Sequence, residues 1–491
     1  MTSPSVNLTD FSATEARTLL FQRKVSAIDL LEACISRIDL LNPKLNAVVT
    51  KSYSRARSEA RTADVLAAAG KPLPLLHGLP IVIKDMNKTE GIRTTFCSPL
   101  FKDFVPEQDD AVIARLRRHG AIILGKTNAP EFACGSNTTN RVFGPSGNPF
   151  NPDLTPGGSS GGAGVALATG MVPLANGSDS GASIRNPAAF CGVVGLRPTP
   201  GLVASPDRGV GLSTNGVEGP MGRTVEDVAL LLAGMAEYDS RDMMARSIDP
   251  NIFLSLQPVE VAGLRVGISE DLSFAPIDRV VRETFRTKIA TIRSSFAVCE
   301  DSKINMQGAE EAYMGVRALY LLAGHHSKYA AANSDLSADL AWNIESALKT
   351  TPVEYANAHA EQTRLYQIVQ AAFEEYDIII TPAANCLPFP HSTPFPIVLE
   401  GRQAKHYAEW FSITYAISLV GHPAIALPAG LDPQGTPFGL QVIGPRFGDK
   451  RLLEVAKAVE ELLGGFEETR RPRVDVRALA AGSNMVGMVS R

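Results

Sequence analysis

Two glycine-rich segments in the first half of the chain each carry a serine that is able to do covalent chemistry. Residues 157–162 (GGSSGG) hold Ser159, and residues 177–185 (GSDSGASIR) hold Ser183. Glycine lets backbone crowd around both hydroxyls and leaves amide N–H groups free to bind an oxyanion. The pair predicts acyl transfer from a serine nucleophile, which also needs a base. A flexible Gly/Ser linker is the competing interpretation, but apolar residues flank the first segment on both sides, which favours folded sequence.

Lys84 is the best-placed base for such a serine. None of the eight histidines lies in the serine-rich stretch. Lys84 ends the apolar run 80–83, whose composition predicts a buried strand. Burial disfavours the ammonium form, and the pKa must fall by roughly 2–3 units for a useful neutral fraction near pH 8. The alternative is an ordinary lysine that pairs with Asp85 at a strand end.

Taken together, these segments resemble the amidase signature family. The motifs that carry the resemblance are GLPIVIKD at 78–85, GKTN at 125–128, the two serine segments, GHPAIALP at 421–428 and FGLQVIG at 438–444. The stretch from about 269 to 376 carries little of it. The resemblance implies Ser183 as the nucleophile, Ser159 as a proton relay on a cis peptide bond, and Lys84 as the base.

The resemblance also implies an oxyanion hole and an acyl pocket. The backbone N–H groups of four consecutive residues would form the oxyanion hole: Ser180, Gly181, Ala182 and Ser183. Ser180 and Ala182 depart from the residues that are frequent in the family, and Ala182 is costly only where φ must be positive. Three small residues of the loop 131–137 would bind the substrate beside the nucleophile: Ala133, Cys134 and Gly135. The variable helical region at about 307–376 would pack over the site and shape the leaving-group side.

The expected function is hydrolysis of the C–N bond of a small, largely apolar carboxamide through a Ser183 acyl-enzyme. A carbamate, anilide or ester hydrolase would use the same three residues. The amidase component of a tRNA-dependent amidotransferase would share the same motifs and need a partner subunit for its synthetic activity. A binding protein with a dead site is the rival from a different class, and the presence of all three catalytic residue types argues against it.

Composition limits the other classes of function. The 491 residues include 47 basic and 51 acidic ones, with no basic stripe, so nucleic-acid binding is not expected. No run of 18 apolar residues occurs, and the N-terminus lacks a charged segment followed by an apolar one, so we expect no membrane association and a cytoplasmic location. Six scattered cysteines without a CxxC pair argue against a metal site or disulfide framework. We expect no cofactor, and a homodimer is left open.

The elements that must position the site follow an alternating pattern. Helical periodicity from Ser26 to Leu41, ending before Pro43, and from Asp109 to His119 alternates with short apolar runs. The predicted strands are 121–124, 171–175, 193–196, 264–268, 378–381 and 440–443. This pattern predicts an α/β fold with a central mixed sheet covered by helices on both faces, in a single amidase signature domain over residues 1–491.

One nucleotide-binding pattern is a decoy. Residues 120–127 (GAIILGKT) satisfy the phosphate-loop pattern GxxxxGK[ST]. In a true phosphate loop a strand precedes the first glycine, and the four intervening residues form the loop. Here a basic helix precedes the glycine and those four residues are predicted as strand, so nucleotide binding is not expected.

Overall fold

The computed structural model describes residues 7–332 and 335–482. The ends of the predicted domain, residues 1–6 and 483–491, lie outside this part of the chain. Within it, no helix has both the length and the apolar composition needed to cross a bilayer.

The architecture is built on a large mixed sheet. Its strands are β1 Val48–Lys51, β2 Pro80–Lys84, β3 Ile122–Thr127, β4 Leu174–Asp179, β5 Val194–Arg197, β6 Val217–Gly222, β7 Arg265–Ile268, β8 Val298–Asp301, β9 Ile378–Pro382, β12 Ala424–Leu431 and β13 Pro437–Ile443, while β10 Val398–Leu399 and β11 Arg402–Gln403 form a separate hairpin. The sheet order is β1-β3-β2-β4-β6-β5-β12-β13-β9-β7-β8. Strand β2 pairs in parallel with both β3 and β4, which brings the ends of β2 and β4 side by side.

Helices flank this sheet. They are α1 Ala13–Phe21, α2 Ala27–Leu45, α3 Tyr53–Ala68, α4 Ala111–Arg118, α5 Gly161–Ala168, α6 Arg185–Cys191, α7 Val225–Met235, α8 Arg279–Ile292, α9 Ala309–Ala332, α10 Ala338–Lys349, α11 Pro352–Glu375, α12 Ser412–Val420, α13 Asp449–Gly464 and α14 Val476–Ala481. The predicted fold class, a mixed sheet with helices packed against it, is confirmed.

Two local predictions need correction. The helix that starts after Ser26 does not end before Pro43 but runs to Leu45, with Asn46 as its left-handed C-terminal residue. Pro43 has no N–H to donate to the backbone one turn earlier, but only two helical residues follow it, so the lost bond affects only the last turn. The strand predicted at 171–175 begins only at Leu174 and runs on to Asp179.

Close packing requires glycine at positions of the first glycine-rich segment, residues 157–162. Gly161 and Gly162 open α5, which lies against the loop that follows β3. A Cβ on Gly162 would lie 2.5 Å from the backbone nitrogen of Asn128, and one on Gly161 would lie 2.2 Å from the Thr138 hydroxyl. Real Cβ atoms do not approach so closely, so the segment belongs to the folded core and is not a linker.

Helices α9, α10 and α11 form the helical region predicted at 307–376. Helix α9 packs against α10, α11 and α12. Its contact with α10 forms a small hydrophobic cluster separate from the main core, which we call the lid cluster: Cys134, Ala318, Leu321, Leu336, Leu340, Ile344 and Ala347.

Candidate active site

Lys84 is the last residue of β2 and is fully buried. Its Nζ donates to the Ser159 hydroxyl at 2.7 Å and to the Ser178 hydroxyl at 2.9 Å. The Ser178 carbonyl oxygen is 3.4 Å away. Burial lowers the pKa of Lys84 from 10.5 to about 8, although the nearby acidic groups Glu218 and Asp179 oppose the shift. The lysine therefore combines contact with a serine and a proton that is easily lost near neutral pH.

The alternative pairing of Lys84 with Asp85 is not what the structure contains. Asp85 accepts hydrogen bonds from the Thr95 hydroxyl at 2.5 Å and from the Thr95 backbone N–H. Consecutive residues of an extended strand point to opposite sides, so the two side chains diverge. Asp85 holds the loop after β2, and Lys84 is left to Ser159 and Ser178.

The two serine segments meet in the fold. The peptide bond between Gly158 and Ser159 is cis, in agreement with the resemblance. The backbone N–H of the next residue, Ser160, donates to the Ser183 carbonyl at 3.0 Å. Ser159 is fully buried and Ser183 is half-buried, in the turn between β4 and α6. This backbone bond joins the segment that carries Ser159 to the segment that carries the proposed nucleophile, Ser183.

The turn at 180–184 leaves backbone donors free. Within the described residues, the N–H groups of Ser180, Gly181, Ala182 and Ser183 have no hydrogen-bond acceptor, whereas Ile184 N–H donates to the Asp179 carboxylate at 3.1 Å. Ala182 is not among the residues with positive φ, so its side chain brings no backbone strain. Free N–H groups in one turn are what an oxyanion hole requires.

A buried ion cluster fixes this turn. Arg185 binds both oxygens of Asp179, at 3.1 Å and 3.0 Å, and Arg197 approaches the same carboxylate at 3.4 Å. Arg185 also donates to the Gly181 carbonyl at 2.7 Å. Burial alone would raise the pKa of Asp179, but the two arginines outweigh it and lower the pKa to about 2. Arg185 is thus a structural residue of the turn.

Helix α9 closes the turn from above. The Tyr313 hydroxyl donates to the Ser180 carbonyl at 3.4 Å, and a Cβ on Gly181 would lie 2.5 Å from that hydroxyl. Tyr313 stacks on Tyr415 of α12 with ring centroids 4.1 Å apart. Glycine is therefore needed at 181 because the tyrosine approaches its Cα closely.

A cavity of about 690 Å³ opens next to this turn. Its lining includes Ala133, Cys134 and Ser180 from the predicted site, together with Ser178. Gly135 and Ser183 are not among its lining residues. The volume is within the range of pockets that hold small organic ligands.

One side of the cavity is aromatic. The rings of Phe96, Phe101, Phe104 and Phe132 pack with centroids 5.2–6.2 Å apart, and Phe132 also contacts His325 of α9. Phe96 and Phe132 both have positive φ, which is unusual for bulky residues. The Phe132 N–H donates to the Phe96 carbonyl at 2.9 Å, so the two loops hold each other in place.

The other side is polar and contains residues that the sequence analysis did not single out. Glu218 of β6 lines the cavity and accepts a hydrogen bond from Asn176 at 3.3 Å. From α9, the lining residues include Arg317 and Tyr320. Arg317 donates to Asn343 at 2.5 Å and to the Tyr407 hydroxyl. Arg317 and Tyr320 are three residues apart, a spacing that places two side chains on the same face of a helix. The sequence does not indicate which face of α9 contacts the site.

Comparison with known proteins identifies relatives over most of the chain. Residues 29–453 match the family model named Amidase. The chain is 32% identical to a component of the glutamyl-tRNA(Gln) amidotransferase of Alkaliphilus metalliredigens (strain QYMF), over 92% of this chain and 96% of that one. It is 33% identical to the component of the same name from Moorella thermoacetica (strain ATCC 39073 / JCM 9320), over 95% and 99% of the two chains.

Solved structures show the same fold. A bacterial aryl acylamidase of the amidase signature enzymes superposes with a TM-score of 0.86 at 26% identity, covering 96% of this chain and 98% of that one. Among our alternatives, the sequence relatives support the amidotransferase component more directly than the small apolar carboxamide hydrolase.

Proposed function

Because the chain belongs to the amidase family, we propose that it cleaves amide C–N bonds through an acyl-enzyme on Ser183. The observation that carries the proposal is the 2.7 Å contact between Lys84 Nζ and the Ser159 hydroxyl, at a lysine whose pKa burial lowers to about 8. A neutral amine at that position is able to take a proton from a hydroxyl.

The proposed reaction uses side chains and backbone of this chain. Neutral Lys84 takes the proton of Ser159, Ser159 takes that of Ser183, and Ser183 Oγ attacks the amide carbonyl. The free N–H groups of the turn 180–183, which include the predicted Ser180, hold the negative charge that develops on the carbonyl oxygen. The proton returns through Ser159 to the leaving amine, and water then hydrolyses the ester.

The substrate that the cavity supports best is an amide with an apolar, preferably aromatic, portion. Four phenylalanines line one side, and offset or edge-on ring contacts add to the gain from burial. Small residues, Ala133 and Cys134, leave space next to Ser180. Carbamates, anilides and esters with the same aromatic portion would use the same machinery and stay within the proposal.

The test is an assay of the purified protein alone against a panel of anilides, alkyl amides, carbamates and esters, together with a fluorophosphonate label. We expect turnover of aromatic amides and a label on Ser183, with Ser183→Ala folded, unlabelled and inactive. Mapping of the label to Ser159, Ser160 or a cysteine would reject the assignment. No ATP or metal is required by this chemistry, so activity is expected to survive EDTA.

A second candidate rests on the sequence relatives, which are named as components of a glutamyl-tRNA(Gln) amidotransferase. In that role the same site would release the amide nitrogen that is transferred, and the chain would act with partner proteins. Amidation of glutamyl-tRNA(Gln) in the presence of those partners, with no turnover by the chain alone, would favour this function. The expected absence of nucleic-acid partners, the cytoplasmic location, the homodimer and the extent of the domain stay predictions.

A further inference from the structure

Glu218 is an acidic residue beside the proposed base, and none of the arginines in residues 7–332 and 335–482 forms an ion pair with it. It is paired across the β4/β6 ladder with Ser178, and directly opposite residues project from the same face of a sheet. Ser178 is one of the two hydroxyls that contact Lys84 Nζ. The Ser178 side chain therefore lies next to both Glu218 and Lys84 Nζ, and Glu218 also lines the cavity.

Asn176 links the two residues through a second route. Its Oδ1 accepts the backbone N–H of Lys84 at 2.9 Å, while its Nδ2 donates to Glu218 at 3.3 Å and to Asn87 at 2.8 Å. Within the described chain Glu218 forms no ion pair with a lysine or arginine. Asp179, the other nearby acid, is by contrast neutralised by Arg185 and Arg197.

Lys84 and Glu218 each have the other as their strongest neighbouring opposite charge. Glu218 is the acid that most strongly opposes the fall in the pKa of Lys84, ahead of Asp179 and Cys97. Burial raises the pKa of Glu218 to about 7, and Lys84 is the cation that most opposes this. The other charged and titratable groups that line the cavity are Lys88, Asp110, Cys134, Asp207, Arg208, Arg317, Tyr320, His325 and Lys328. Asp110 pairs with Lys88, and Arg208 pairs with Asp242.

We propose that Glu218 is a positioning residue for the base. Its negative charge favours the ammonium form of Lys84, and this effect ends when Glu218 is neutralised or removed. The inference rests on the proposed function of Lys84. Under this inference, a residue of the cavity wall controls the fraction of enzyme in which Lys84 is neutral and ready to react. That residue is additional to the three predicted catalytic residues. A glutamine at this position keeps an oxygen acceptor for Asn176 but carries no charge.

The test is the rate of fluorophosphonate labelling of Ser183 in the full chain, from about pH 6 to about pH 10. For the wild type we expect a rise with a midpoint near 8. For Glu218→Gln the midpoint moves down by about half to one pH unit, so labelling between about pH 7 and the midpoint is up to about three- to tenfold faster. The difference closes towards pH 6, because the wild-type carboxyl is then neutral as well. The alkaline plateau stays the same, because Lys84 is neutral there in both proteins.

Glu460→Gln is the matched control. Glu460 of α13 is another carboxyl whose pKa burial raises to about 7, and it accepts the Val225 backbone N–H at 3.0 Å, away from the cavity. This variant is expected to keep the wild-type midpoint. Glu218→Ala must shift the curve in the same direction as Glu218→Gln, with thermal melts reporting whether each variant is folded.

The outcomes separate the two proposals. Equal midpoints in the wild type, Glu218→Gln and Glu218→Ala would overturn the role of Glu218 while leaving Ser183 and Lys84 in place. A wild type that is not labelled at Ser183 at any pH would instead overturn the proposed function, and the role of Glu218 with it.

Discussion

At the scale of single residues, the site depends on Lys84. Burial of this lysine makes its proton easier to remove. Three oxygens surround Lys84 Nζ and favour the ammonium, but removal from water lowers its pKa to about 8. The neutral fraction therefore grows as the pH rises through about 8, so activity limited by this base rises and then levels off.

Replacement of the base gives the first prediction. Lys84→Ala leaves hydroxide as the only proton acceptor, so we expect a rate about 10²- to 10⁴-fold lower at neutral pH. The gap narrows as the solution becomes more alkaline. The measurement is the pH–rate curve of both proteins with thermal melts as the control; parallel curves would exclude Lys84 from the mechanism.

The aromatic side of the cavity gives the second. Phe132→Ala removes a ring that contacts Phe96, Phe101 and His325. Loss of one aromatic contact costs about 1 kcal/mol, so we expect KM for an aromatic amide to rise about five- to tenfold with kcat little changed. A short aliphatic amide serves as the comparison substrate, and an equal effect on both substrates would argue against an aromatic pocket.

The sequence led to Lys84, Ser159 and Ser183 because glycine-rich turns and a strand-end lysine leave local patterns. It did not lead to Ser178 or Glu218, because their importance comes from pairing between β4 and β6, which no local pattern records. Gly135, predicted at the pocket, is not among its lining residues, and a Cβ there would face Pro130 and Asp339 instead.

At the scale of elements, a buried ion cluster holds the turn between β4 and α6. Asp179, Arg185 and Arg197 are all fully buried. Removing one member of a buried ion cluster leaves the others uncompensated, which is far more costly than losing an exposed pair.

The third prediction follows from that cluster. Asp179→Asn is expected to lower the free energy of unfolding by about 3–5 kcal/mol, measured by urea denaturation. Because the pKa of Asp179 is lowered to about 2, its stabilising effect is present above about pH 4 and is lost as the pH falls towards 2. Glu283→Gln, which breaks the exposed pair with Arg279, should cost less than about 1 kcal/mol. Similar costs for the two variants would contradict the role given to the cluster.

Most strands of the sheet were predicted from apolar runs, but β1, β6, β8 and β12 were not, and β6 is the clearest case. Its sequence, VEGPMG, contains two glycines and a proline, residues that normally argue against an interior strand. It lies between β4 and β5 all the same, and Leu196 O would be 2.3 Å from a Cβ on Gly219. Close approach of neighbouring backbone explains the glycine that obscured the strand.

At the scale of the whole molecule, the site lies where two hydrophobic clusters meet. Lys84 and Ser159 belong to elements packed in the main core, whereas Cys134 belongs to the lid cluster with α9 and α10. The lid cluster is far smaller than the main core, so it contributes less burial than the core beneath the sheet.

The lid cluster has a kinetic consequence. A small cluster opens at a lower free energy than a large core, so the amides of α10 should exchange with deuterium well before those of β12 and β13. Hydrogen exchange followed by mass spectrometry measures this order, and simultaneous exchange of both regions would contradict it. Helix α10 packs on α9, which lines the cavity through Arg317 and Tyr320. Each opening of α10 therefore removes support from one wall of the cavity, and the frequency of such openings limits how often that wall can yield to a bulky substrate.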